Sequence, residues 1–286
     1  MTTVLKGHQK DLDGFSVTRI LPHGAKRMVG PFIFMDHMGP AQFAAGEGVD
    51  VRPHPHIGLS TLTYMFEGSL LHRDSLGNHV EILPGDVNWM TAGRGIVHSE
   101  RETIEVKAAE HKLNGLQCWL ALPKTMAEVE PSFTHLQREH LPHYMKDGAL
   151  IRLIAGEAFG MTSPIKTYSP MFYLDVLLKA GKAITRPKPE QECLAYIVDG
   201  NVVIDGEAYS QGSAVLLNAN AHLTASTNTR MILLGGEAWP EVPFIEWNFV
   251  SFDQARIEQA KSDWIAQRFA TIPGDNQEFT PLPVRK

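Results

Sequence analysis

The sequence predicts an all-β protein built as two β-barrels with a C-terminal helix. Three observations carry this prediction. Residues 1–135 are dense in short apolar runs broken by Gly, Pro and Asn, the punctuation of strands joined by tight turns. From Ala149 a second series of runs follows in a similar order, as two barrels arising by duplication would give. Residues 251–286 instead carry apolar side chains at three- and four-residue spacing. The expected organisation is a first barrel over 1–135, a second over 136–250, and a helix and tail over 251–286 packing on the barrels.

In the first half, residues 14–21, 31–35, 59–66, 79–83 and 87–91 read as strands. The runs 71–74 and 79–83 flank Ser75-Leu76-Gly77-Asn78, a hairpin turn in which Gly or Asn supplies positive φ. Pro84-Gly85-Asp86 and Gly93-Arg94-Gly95 read as further turns. The stretch 124–147 carries prolines, three histidines and mixed charges, and reads as an interdomain connection with a short helical turn over 137–145. In the second half, 150–155, 171–178, 194–198, 201–204, 214–217 and 231–235 are the strand candidates. The echo is one of order: Glu67-Gly68 and later Gly85-Asp86 in the first half, Asp199-Gly200 and later Gly212-Ser213 in the second. In the tail, Ser251 can cap a helix with Gln254 three residues on, as in a capping box. Ala255, Ile257, Ala260, Trp264 and Ile265 then form one face, and Pro273-Gly274 ends what remains.

Composition narrows the function classes. The chain has 286 residues, 43% hydrophobic and 20% charged, ordinary for a soluble globular protein, and its length suits two packed domains or one large one. Its net charge of −6 and scattered Lys and Arg argue against direct nucleic-acid binding, which needs clustered cations. No apolar run approaches the roughly 18 residues of a membrane span, and the N-terminus carries no apolar leader. Cys118 and Cys193 sit in apolar runs and are expected as buried free thiols, which suits a reducing compartment. A cytoplasmic protein with no membrane partner is the expectation.

The chemistry lies in two short pairs, His54-Pro55-His56 and His98-Ser99-Glu100. On a β-strand, residues i and i+2 share a face. Taken alone, His-x-His is more often two histidines in a surface loop than a metal site. Two such pairs converging inside a barrel would set three imidazoles and one carboxylate around a point. That set suits a divalent transition metal, and an octahedral ion would keep two positions for exogenous ligands. A closed structural zinc site would more often use cysteine. Pro53 and Pro55, lacking N–H groups, require a strand start or an edge there.

The run from His54 to Gly68, His72-Arg-Asp-Ser75, and the run from Pro84 to Glu100 together resemble the pirin family, a subgroup of the cupins. Gly30-Pro-Phe-Ile-Phe-Met-Asp-His37 and Gly115-Leu-Gln-Cys-Trp-Leu120 match the segments that flank these motifs in pirins. The resemblance implies a bicupin, two barrels face to face, with metal in the N-terminal one. Its ligands would be His54, His56, His98 and Glu100. The general cupin glutamate a few residues after His-x-His is replaced here by 59–62, so Glu100 supplies the carboxylate, as in pirins. The second half has no His-x-His, His222 stands alone, and that barrel would be metal-free. Some pirins are quercetinases, so the implied activity is quercetin 2,3-dioxygenase chemistry on a small aromatic or flavonoid substrate with O₂. Glu100 would serve as a ligand and a base. Fe(II) is the first expectation for the metal, with Zn, Cu, Mn, Ni or Co as alternatives. The other implied role is a metal-dependent regulator that binds a partner enzyme or transcription factor. Remaining residues read as structural: Glu67 and Arg94 in turns, Asp36-His37 in hydrogen bonding, Trp89 and Met90 in packing. His135, His140 and His143 receive no role.

Overall fold

The computed structural model describes residues 3–11 and 15–283 and is β-rich throughout, with one long helix, Gln254–Ile265. Gly14, expected to open a strand, lies outside the described residues; the strand there runs Ser16–Leu21. No described helix is long and apolar enough to cross a membrane. Cys118 and Cys193 are buried and free, as expected, and burial pushes the Cys193 thiol up to about 12.

The chain divides into two compact units. One comprises Lys10–Thr18, Asp36–Arg138 and Glu241–Lys286, and is called the N-terminal unit; the other comprises Met1–Gln9, Arg19–Met35 and Glu139–Pro240. Their small sheets share one strand order. In the N-terminal unit it is Asp50–His56, Ile96–Arg101, Leu70–Asp74, His79–Ile82. In the C-terminal unit it is Ala183–Thr185, His222–Ala225, Asn201–Ile204, Glu207–Ser210. Both run first, fourth, second, third along the chain. The larger sheets agree too: Val87–Thr91, Leu59–Glu67, His111–Ala121 and Phe32–Phe43 stand in the same order as Ala214–Leu216, Glu192–Asp199, Thr229–Gly236 and Met171–Leu178. The echo read from turn positions is therefore a repeated topology.

Three sequence expectations are corrected. The split is not linear, because early segments pack with the C-terminal unit. Thr3–Leu5 pairs with Ala214–Leu216, and the Glu192 carboxylate accepts from Gly30 N at 2.8 Å and from Lys26 Nζ. The tail, conversely, belongs to the N-terminal unit. The supposed connection over 124–147 holds structure: Ser132–Leu136 pairs with Val87–Thr91, His143–Lys146 pairs with Ala149–Ala158, and the helical turn is only Arg138–His140. The helix cap is Asp253, whose side chain accepts from Ala255 N at 2.9 Å. Ser251 ends the preceding strand, and its hydroxyl accepts from Asp253 N instead. Aspartate outcompetes a serine two positions too early because only its carboxylate reaches the first turn's N–H groups.

Candidate metal centre

The site is built on the Ile96–Arg101 strand, which lies antiparallel between Asp50–His56 and Leu70–Asp74. His98 stands opposite His54 on one side and Asp74 on the other. Glu100 stands opposite His72. Alternation then puts His54, His56, His98, Glu100, His72 and Asp74 on one face, turned into the barrel. The register slips between His98 and Glu100: two steps on this strand match three on the partner, from His54 to Val51. The bulge falls at Pro53, which has no N–H to offer the ladder, on the edge strand of the sheet. Gly58 follows the histidine pair at φ 70°, and a Cβ there would meet Val250 O at 2.0 Å, so only glycine lets the tail approach this closely.

The three histidines converge. One ligand nitrogen from each of His54, His56 and His98 lies within 4.8 Å of the others, the single such group among the described residues. Ring centroids are 4.3 Å apart for His54–His98 and 5.0 Å for both His56–His98 and His54–His56. His54 Nδ1 donates to Arg52 O at 2.9 Å, and His56 Nδ1 to Asn248 O at 3.1 Å. A proton on Nδ1 leaves the Nε2 lone pair free. His56 Nε2 and both nitrogens of His98 are buried without a hydrogen-bond partner. Buried polar atoms left bare are costly, and one divalent cation would satisfy two of these, His56 Nε2 and one nitrogen of His98. The residues present therefore fit a divalent metal ion.

The electrostatics agree. Burial holds all three imidazoles below their ordinary value near 6.5, His54 down to about 4 against the pull of the Arg52 carbonyl, and His56 and His98 well below. They stand neutral, the form that coordinates. In metal-free protein this has a measurable consequence. Unfolding frees each histidine to take a proton below about pH 6.5, while the folded His54 resists until about pH 4. The unfolded state thus binds more protons in that window, and stability falls as pH drops through it, by on the order of 3 kcal/mol for His54 alone. Urea unfolding of chelator-treated protein at stepped pH checks this; a flat profile between pH 6.5 and 4 contradicts it.

Glu100 is not part of the three-histidine cluster. Its carboxylate is within 3.1 Å of the Thr63 hydroxyl and 3.2 Å of Gln117 Nε2, both on the facing sheet. Burial raises its pKa, opposed by His72, Thr63 and Gln117. Trp119 closes the wall, edge-on to His56 at 5.0 Å. Sequence reasoning missed His72 and Asp74 as parts of this interior. His72 Nε2 lies 3.0 Å from Asp74 Oδ2, stacks on Phe133 at 4.3 Å, and its ring centroid is 5.3 Å from that of His98. Asp74 also accepts from Leu76 N, Asn78 N and Asn78 Nδ2, which tie the hairpin turn to the site. The available signal was a third i, i+2 pair, His72-Arg73-Asp74.

The other readings fall outside the centre. His37 bonds Asn114 at 2.7 Å, and Trp89 is buried with its Nε1 on Thr91. Glu67 and Arg94 make exposed ion pairs with Lys112 and Glu130. His135 bonds Asn88, and His222 is exposed.

The sequence pattern of the Pirin family matches residues 14–120, and that of the Pirin C-terminal cupin domain matches 173–270. A pirin-like protein of Caulobacter vibrioides is 49% identical, over 98% of this chain and 98% of its own. This chain belongs to the pirin family. Its two repeated β units are the two cupin domains of a pirin. Among pirin relatives, a candidate quercetin 2,3-dioxygenase of Pseudomonas aeruginosa is 35% identical over 94% of this chain and 87% of its own. The crystal structure of quercetin 2,3-dioxygenase from Acinetobacter baumannii superposes with a TM-score of 0.92 at 32% identity, covering 100% of this chain and 96% of that one.

Proposed function

We propose that this pirin is a metal-dependent dioxygenase of quercetin 2,3-dioxygenase type, with His54, His56, His98 and Glu100 as ligands of one divalent ion. The observation that carries it is the meeting of three buried, neutral imidazoles, with His56 Nε2 and the His98 nitrogens left without a protein partner. The likeness to the Acinetobacter baumannii enzyme over the whole chain supports the reaction class. A divalent ion held there, Fe(II) before Zn, Cu, Mn, Ni or Co, would supply a Lewis-acidic point where a flavonol and O₂ meet.

The chain's own residues do the rest. The imidazoles bring no charge, so Glu100 contributes the one negative ligand. As the one carboxylate of the set, it would take the flavonol hydroxyl proton at a carboxylate oxygen. Thr63 donates to one oxygen of that carboxylate and Gln117 Nε2 to the other, and Trp119 flanks His56. The test is O₂ uptake by Fe(II)-loaded protein, purified without a histidine tag, on adding quercetin. Consumption matching flavonol loss is expected. No O₂-dependent turnover with Fe, Cu, Mn, Ni or Co contradicts it and leaves the regulatory role as the better reading.

A further inference from the structure

The inward residues of the ligand strands are only half of those strands. Their outward residues rest on the C-terminal tail. Ile57, next to His56, and Val97, next to His98, join Phe249, Ile257, Ala260, Trp264 and Ile272 in one apolar cluster. Ser99, buried between His98 and Glu100, donates from Oγ to Asp275 Oδ2 at 2.7 Å. Arg101, next after Glu100, clamps the same carboxylate twice, Nε to Oδ2 and Nη2 to Oδ1, both at 3.0 Å. It also donates to Glu278 at 2.9 Å and to Asp50, at the start of the other ligand strand.

Five residues on, Thr280 grips that other strand. Its N–H donates to Pro53 O at 2.8 Å and its hydroxyl to Arg52 O at 3.3 Å. Arg52 O is the carbonyl that also accepts from His54 Nδ1. Thr280 is itself fixed by Trp264 Nε1, which donates to its carbonyl at 3.0 Å. An open cleft of about 150 Å³ lies beside these contacts, lined by Pro53, Val97, Trp264, Asp275, Glu278 and Phe279 among others.

We propose that residues 275–280 are the outer brace of the metal centre, and that Asp275 is its positioning residue. By gripping Ser99 and Arg101, Asp275 fixes the residues that alternate with His98 and Glu100, and with them the directions from which both meet the ion. Thr280 does the same for His54 through the carbonyl they share. Partners hydrogen-bonded to the ligands set their orientation, and their loss costs about 10–100-fold in metal affinity; Asp275 acts one step further back, through Ser99 and Arg101, so the lower end of that range applies. The proposal rests on the metal-centre reading.

The test uses the full chain stripped of metal and titrated with Co(II), read by chelator competition and by the visible Co(II) spectrum. The variants are Asp275→Ala, Ser99→Ala and Val202→Ala, the last a core position of the C-terminal unit. Asp275→Ala is expected to bind Co(II) about 10-fold or more weaker, with shifted bands. Ser99→Ala should shift the bands the same way by less. Val202→Ala should lower the melting temperature yet keep wild-type affinity and bands. Wild-type affinity and spectrum in Asp275→Ala overturn the proposal, as does an equal shift in Val202→Ala. Should Asp275→Ala fail to fold, unchanged affinity and bands in Ser99→Ala overturn it. A wild type that takes up no Co(II) overturns the metal centre and the brace together. Flavonol turnover is not read, so failure of the dioxygenase reading stays separate.

Discussion

His98→Ala is expected to lower divalent-metal affinity by more than the roughly 100-fold that a lost outer partner can cost. His98 stands opposite His54 in the ladder, with His54, His56 and His72 around its ring. Neither of its nitrogens is bonded to protein. Removing it strands no hydrogen-bond partner, so the fold should persist while the site loses its middle ligand. Calorimetric titration of metal-free wild type and variant with Co(II) or Zn(II) checks this, with circular dichroism confirming the fold. Equal affinity in the two proteins contradicts it. Flavonol turnover, where present in the wild type, should vanish with the metal.

Phe249→Ala is expected to cost about 3–5 kcal/mol, the range for deleting a fully buried phenyl group. Phe249 has no exposed surface. Its ring stacks on Phe269 at 6.2 Å and meets Trp247 edge-on at 5.3 Å. Its backbone forms a parallel bridge to Ile57, and Val250 N donates to Ile57 O at 3.1 Å. The neighbouring Asn248 carbonyl holds His56 Nδ1. The variant should therefore lose metal affinity as well as stability. Urea unfolding of the metal-free form gives the first quantity, and a loss below about 1 kcal/mol would show that the tail is not part of this core.

The centre was legible in the sequence to the extent that alternation could reveal it. His54 and His56, and His98 and Glu100, needed only the assumption of strands to share a face, and Pro53 and Pro55 announced the edge. The repeated topology showed faintly in turn positions because glycine turns are set by local chemistry, whereas the apolar residues between them interchange freely. The Glu100 carboxylate meeting Thr63 and Gln117 was not legible, since both come from the facing sheet and only barrel closure brings them near. Nor was the placement of Thr3–Leu5, which adds to a sheet two hundred residues away in the chain. The tail read as a helix from its spacing. Its grip on Ser99 and Arg101 follows from an irregular segment whose side-chain partners no periodicity encodes.

The metal centre is tested most directly by a crystal of the metal-loaded protein examined by anomalous scattering. One strong anomalous peak is expected about 2.0–2.2 Å from one ring nitrogen each of His54, His56 and His98, with Glu100 turned to complete the set. A peak elsewhere, or one that fewer than three of these imidazoles approach, would contradict it.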